Sequence, residues 1–304
     1  MKRVLIIANK SWEAEPILNA LLNVKFRPAG LTNPDTLDYP RKKNQGEAFP
    51  NAIWNIDDKR VELWCVEHIM TPCPDIKTFP GYYSSSAQKN IDLPKIFNYS
   101  ADEISLVIAF GTAGYPAGLS KNGSIIIGSN IFIYNTHPNG TNEDSKWDDE
   151  RFGKLINSTV SDELINKLRI QLSDISNRMF FEKRLLTPPL NSPGVQEIII
   201  DKEILALSNV NVTKYNEYKE FDEKGLKALK DSSINKPVCS VETTHGVIRL
   251  HAANAPFLFI SAIVDRVGYF DVEVAPKENA QNFSGAFNGG VLLAWLIPFL
   301  AKNC

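Results

Sequence analysis

Short, continuous apolar runs recur along this chain at wide spacing, and they constrain its fold more than any other feature. Residues 4–8 read VLIIA, residues 106–110 LVIAF and residues 257–264 FLFISAIV. An alternating strand would bury one face only. A continuous run suits a strand buried on both faces, as in a sheet covered by helices on each side. Helical patterns lie between the runs. After the first run, Ser11 opens a helix through Leu22, with Ile17, Leu18, Leu21 and Leu22 at helical spacing. This β–α opening is typical of α/β folds.

The rest of the chain continues in the same manner. Residues 30–58 are polar and rich in Pro, Asn and Lys, and read as an excursion. Residues 61–68 read as a strand, and 106–110 as a buried strand ending at a glycine loop, Gly111-Thr112-Ala113-Gly114. Residues 124–134 suit one long strand, 135–152 a polar loop and 162–174 an amphipathic helix. The three prolines of 187–194 mark an irregular connection, and 195–212 give one bent strand or two short ones. A short helix is expected over 222–230, a strand over 238–241, a helix over 243–253, a buried strand over 256–264 and a closing helix over 276–301. The expectation is a single α/β domain spanning residues 1–304.

Composition excludes several classes. Of the 304 residues, 43% are hydrophobic and 22% charged, which suits an ordinary globular protein rather than a disordered one. The net charge is −2, and the cluster Arg41-Lys42-Lys43 sits in a polar stretch. No basic stripe offers a polynucleotide footprint, so no nucleic-acid partner is expected. The apolar stretch 285–301 contains Asn288, Gly289, Gly290 and Pro298, and reads as a buried helix rather than a membrane span. The first apolar run is too short for a signal sequence. The four cysteines, Cys65, Cys73, Cys239 and Cys304, form no C-x-x-C pair and no zinc spacing. A cytoplasmic, reducing location is expected. His245 and His251 lie six apart, off the helical i, i+4 register of a metal pair, so no metal site is expected either.

Three constellations carry possible chemistry. The first is the glycine segment 111–118, whose small residues let backbone N–H groups approach a ligand closely. It is not a dinucleotide fingerprint, and a plain tight turn fits it equally well. The second is the carboxylate pair Glu242 and Asp265. Each is placed at the end of an expected strand, where functional residues of open α/β sheets gather. The plain alternatives are a helix N-terminus for Glu242 and a salt bridge with Arg266 for Asp265. The third is Glu13 with Glu15, just past the first strand; acidic residues there also suit a helix start.

Together these pieces resemble the nucleoside phosphorylase/nucleosidase superfamily, of the purine nucleoside phosphorylase and uridine phosphorylase type. They look closest to its methylthioadenosine/S-adenosylhomocysteine nucleosidase branch. Three runs carry the resemblance: VLIIANKSWEAEPILNALL from Val4, VIAFGTAGYPAGLSKNGSIIIGSNIFIY from Val107, and VETTHGVIRLHAANAPFLFISAIVD from Val241. It implies a phosphorylase/hydrolase-like fold, with a central mixed sheet flanked by helices and polar insertions near 30–58 and 135–152. It also implies cleavage of the N-ribosidic bond of a purine-type nucleoside, with no cofactor, in a homo-oligomer (a dimer or a trimer of dimers).

The resemblance implies a role for each candidate. Asp265 would be the general acid to the base, Glu13 would act on the attacking water, and Glu242 would hold the ribose. Thr112, Ala113, Gly114 and Val241 would line the substrate site, and Tyr215 would stack on the base. The chain departs from the pattern in places. Ser261 stands where such nucleosidases carry an arginine, and Ser124 follows Gly123 where an aspartate is usual. No arginine occurs between Arg60 and Arg151, so the arginines that hold phosphate in hexameric phosphorylases are missing. Hydrolysis is therefore the expected reaction. Phosphorolysis, with phosphate as co-substrate, and a catalytically weak nucleoside-binding protein are the alternatives.

Overall fold

A computed structural model describes residues 1–23, 27–28, 30–38, 50–66, 96–97, 103–116, 121–135, 150–176, 197–210, 218–274 and 280–304. The first apolar run forms β1 (Lys2–Ala8) and the helix after it is α1 (Ser11–Leu22). The strands β2 (Thr36–Leu37), β3 (Ala52–Ile56) and β4 (Lys59–Cys65) follow. Then come β5 (Ile104–Tyr115), β6 (Ile125–Gly128), β7 (Asn130–Asn135) and β8 (Leu155–Ile156). Helix α2 (Asp162–Ser176) precedes β9 (Ile198–Ile200) and β10 (Leu205–Val210), and α3 (Tyr218–Asp231) precedes β11 (Val238–Glu242). The chain closes with α4 (His245–Ala252), β12 (Phe257–Arg266), α5 (Phe270–Glu273) and α6 (Ala280–Asn303).

The described strands make one 12-stranded mixed sheet flanked by helices. Its main path runs β2-β3-β4-β1-β5-β11-β10-β7-β8, and β12 joins β5 to β6 and β9 off that path. The central pairs β1–β4, β1–β5 and β5–β12 are parallel. Their apolar runs divide between two cores, as the pleat requires. Val4, Ile6, Ala8, Leu106, Ile108 and Phe110 face α1, α2 and α6, where they meet Ile17, Leu18, Leu168, Leu292 and Ile297. Leu5, Ile7, Val107, Ala109, Phe257 and Phe259 face the other way, toward Val247 and Ile248 of α4. Burial on both faces thus explains the continuous runs. The apolar stretch at the chain's end is a core helix, with Val291 to Ala294, Leu296, Ile297, Leu300 and Ala301 all buried.

Three expectations about local structure need correction. Residues 111–114 are not a loop, because β5 continues through them to Tyr115. Strand β12 pairs with that whole stretch and keeps it extended. The expected single strand 124–134 is two strands separated at Ser129. There the partners change from β12 and β9 to β10 and β8, and Ser129 Oγ donates to the Phe257 carbonyl at 2.6 Å. The polar excursion 30–58 holds a hairpin: β3 pairs antiparallel with β4 around Asp57, whose φ of 54° is accepted at a tight turn. The region 195–212 resolves into the two short strands β9 and β10.

Helix α1 is seated against α6 at closest approach where Gly290 meets its backbone. A β-carbon at Gly290 would lie 2.8 Å from the Ile17 amide nitrogen and 2.9 Å from the Pro16 carbonyl carbon. Backbone cannot yield as a flexible side chain does, so Gly290→Ala must push the helices apart. Overpacking of this kind costs about 1–3 kcal/mol. Denaturant unfolding of Gly290→Ala should show a loss of that size. Unchanged stability would contradict this seat for α1.

Candidate active site

The site is built where β5 changes neighbours. Up to Phe110 it pairs with β1; beyond that, Gly114 pairs with Val241 of β11. Strand β12 stays on its other edge, with Ser261 opposite Gly111 and Asp265 opposite Gly114. Val241, Gly114 and Asp265 therefore lie in one row across three strands. A register shift between Ile263 and Asp265 sets Asp265 in that row, the usual effect of a bulge. Gly114 stands directly beside the Asp265 carboxyl. A β-carbon there would stand 3.5 and 3.6 Å from the two Asp265 carboxyl oxygens.

Asp265 is buried, and its pKa is pushed well above the carboxylate range. Burial is the main cause, and the neighbouring carboxyls of Asp222 and Glu273 add to it. Arg266, the plain candidate for its partner, is committed elsewhere. Its Nε and Nη2 each lie 2.6 Å from Glu273 Oε1, and its backbone N–H donates to Glu273 Oε2 at 2.9 Å. Asn122 Nδ2 also donates to Glu273, and the Arg266 guanidinium sits 3.9 Å over the Tyr269 ring. Glu273 thus anchors the chain just after Asp265.

Glu242 ends β11, and its two oxygens do different things. Oε2 accepts from the backbone N–H groups of Thr244 and His245, the latter at 2.6 Å, so it secures the start of α4. Oε1 is buried without a hydrogen-bond partner. The helix-start reading and the functional reading of this residue each describe one oxygen.

Glu13 is buried in the first turn of α1. Its Oε1 accepts from Thr112 N at 2.7 Å and Thr112 Oγ1 at 3.0 Å, and its Oε2 from Lys10 N at 2.9 Å. Burial raises its pKa, against the Lys10 charge and these donors. Glu15, by contrast, is exposed. Glu13 and Thr112 thereby tie α1 to β5. Ala113 and Val241 point into apolar clusters, with Ile263 and with Phe132 and Leu207, so only their backbone faces this row. Tyr215 lies outside the described residues.

The sequence assigns no catalytic or binding role to four neighbours of the site. Asp222, in α3, accepts from Asn209 Nδ2 of β10 at 2.6 Å. Burial raises it to about 7, and the Glu223 and Glu242 charges add to the shift. Asp222 and Glu273 both act on Asp265, so carboxyls from α3, β11, β12 and α5 share one electrostatic neighbourhood. His245 is fully buried behind Gly111, near Glu13. Ser261 is bonded to Ser240, Oγ to Oγ at 2.8 Å, and this buried pair occupies the position expected for an arginine. Among the described residues, no group of His, Cys, Asp and Glu is arranged to hold a metal ion.

No protein-family model and no curated sequence matches the chain. Solved structures do match it along nearly their whole length. The 5'-methylthioadenosine/S-adenosyl homocysteine nucleosidase of Campylobacter jejuni has a TM-score of 0.55 at 11% identity, covering 100% of both chains. The apo 5'-methylthioadenosine nucleosidase of Arabidopsis thaliana has a TM-score of 0.54 at 15% identity, covering 100% of this chain and 98% of that one. The futalosine hydrolase of Helicobacter pylori has a TM-score of 0.54 at 12% identity, covering 97% of each. The chain has the nucleoside phosphorylase/nucleosidase fold. Within that fold, the three runs that carry the sequence resemblance become β1 with α1, β5 to β7, and β11 to β12, so their candidate carboxyls meet at one end of the sheet.

The raised carboxyls of this nucleosidase fold make its stability depend on pH. Asp222 titrates at about 7 when folded, against an ordinary 3.8. Between those values the folded chain binds more protons than the unfolded one, so stability falls as pH rises through the window. Asp222→Asn removes this term. The stability of the variant relative to wild type should therefore rise from pH 3.8 to about 7 and then level off. A difference that is constant with pH would refute the shift.

Proposed function

We propose that the protein hydrolyses the N-ribosidic bond of a purine-type nucleoside. The observation that carries this reading is the row Val241, Gly114, Asp265, which sets a carboxyl of raised pKa beside a bare strand and close to Glu242. Breaking the bond builds positive charge on the sugar and negative charge on the departing base. A carboxyl that keeps its proton is suited to protonate the base, and Asp265 takes that role, at a ring nitrogen such as N7. Glu242 Oε1, lacking a partner, accepts from a ribose hydroxyl, and its charge favours the cationic sugar. Glu13, held in place by Thr112 and Lys10, orients the attacking water and receives its proton. Thr112 and the backbone of Ala113 and Gly114 line the sugar. Protonation and charge stabilisation suffice, so the reaction needs no cofactor. Neighbours that are themselves nucleosidases and a futalosine hydrolase support the same class of reaction.

Water is the preferred nucleophile because the arginines on these elements are engaged. Arg266 is paired with Glu273, while Arg249 donates through Nη1 and Nη2 to the Ala253 and Asn157 carbonyls and lies over the Phe257 ring, with only its buried Nε left without a partner. Incubation with a panel of purine nucleosides, with and without phosphate, tests the proposal. Free base and ribose should appear at a rate indifferent to phosphate. Strict phosphate dependence with ribose 1-phosphate as product would replace hydrolysis by phosphorolysis. Release of no base from any nucleoside would reject the reading.

A further inference from the structure

We propose that His245 is a positioning residue for the nucleophile: its imidazole joins Glu242 Oε1 through Nδ1–H and presents Nε2 as an acceptor beside Glu13. This deepens the hydrolase reading above and rests on it.

The geometry at His245 is unusual for a core histidine. The side chain is 1% exposed and stacks on Phe259, with centroids 5.9 Å apart. Packing alone would explain the ring but not its nitrogens. Nδ1 has no hydrogen-bond partner, and neither has Glu242 Oε1, which lies 4.0 Å away. A buried polar atom without a partner costs about 1–3 kcal/mol. Here a donor site and an acceptor face each other about 1 Å beyond hydrogen-bond range.

The other carboxylate decides where the proton sits. Both oxygens of Glu13 already accept from Thr112 and Lys10, whereas Glu242 Oε1 accepts from nothing. Burial favours the neutral ring, although the Glu242 charge opposes this. The single ring proton therefore belongs on Nδ1, toward Glu242, and the Nε2 lone pair is free. That lone pair faces the strand where it has no side chain. A β-carbon at Gly111 would stand 3.2 Å from His245 Nε2 and 3.4 Å from Glu13 Oε1, so both acceptors lie against the same residue of the strand. Ser261, opposite Gly111 in register, carries no charge and is bonded to Ser240.

Two acceptors this near one another suit the two hydrogens of one water lying beside Gly111. In the step, the water oxygen bonds to the anomeric carbon and the bond to the base breaks, its electron pair leaving with the base. Asp265 supplies the proton to the base, and Glu13 takes one from the water. His245 gives and takes no proton; it accepts a hydrogen bond and fixes the direction of the water's lone pair, while holding Glu242 against the sugar.

Two variants separate positioning from packing. His245→Asn places its amide N–H near the original Nδ1 and loses the ring and Nε2. His245→Phe keeps the ring on Phe259 and loses both nitrogens. Positioning predicts that His245→Asn lowers kcat about tenfold, the loss of about one hydrogen bond, with KM little changed. It predicts that His245→Phe lowers kcat further and also raises KM. A packing role predicts the reverse order, and a Phe variant equal to wild type in both constants would overturn the proposal. Imidazole 15N resonances of the wild-type protein give a readout free of turnover. A proton on Nδ1 is expected; a proton on Nε2 would overturn the proposal. If wild type releases no base, the hydrolase reading fails, and the resonances still decide the link between His245 and Glu242.

Discussion

Strand β5 exchanges one neighbour for another halfway along its length, and the site depends on that exchange. Strand β1 is its partner as far as Phe110, and β11 takes over at Gly114. Strand β12 follows its opposite edge throughout, so the exchange brings three strand ends together. Crevices in open α/β sheets form where neighbouring chains part in this way. The segment after β1 brings Glu13, the end of β11 brings Glu242, and the end of β12 brings Asp265. Gly111 and Gly114 mark the same place on β5. Without side chains there, the carboxyls and His245 stand directly against the strand.

Gathering carboxyls in a buried place is costly unless each is neutralised or hydrogen-bonded. The fold answers differently for each. Glu13 has three donors, Glu242 Oε2 has the amides that open α4, and Glu273 has Arg266 and Asn122. Asp265 has burial and the nearby carboxyls of Asp222 and Glu273 against it, and its pKa is pushed up instead. Environments that push neighbouring carboxyls apart in this way separate an acid from its charged companions. A carboxyl raised in this way in the folded chain favours folding less as pH rises.

The sequence made the strands and their ends legible because burial on both faces leaves an unbroken apolar run. The runs at 4–8, 106–110 and 257–264 lie within β1, β5 and β12. Glu13 follows the first run, Asp265 follows the third and Glu242 ends the shorter strand β11, and all three come to lie near residues 111–114 of β5. What it concealed was pairing at long range. Residues 111–114 look like a loop by composition, but an edge of β12 holds them extended. The partner of Arg266 is Glu273 rather than its neighbour Asp265, and Asp222 is drawn in by Asn209. His245 was legible only as half of a metal pair with the wrong spacing. Its place behind Gly111 follows from how β11 pairs with β5, a long-range contact that no local pattern announces.

The central claim is that Asp265 supplies the proton to the departing base, and leaving-group dependence in Asp265→Asn tests it most directly. The substitution keeps the shape of the side chain and removes the acid. A general acid typically contributes about 10²–10⁴-fold, so turnover of an ordinary purine nucleoside should fall by that order, with KM little changed because the lost interaction belongs to the transition state. A nucleoside with an activated leaving group needs less help and should be hurt far less. Equal loss on both substrates, together with a lowered melting temperature, would show a structural residue and contradict the account.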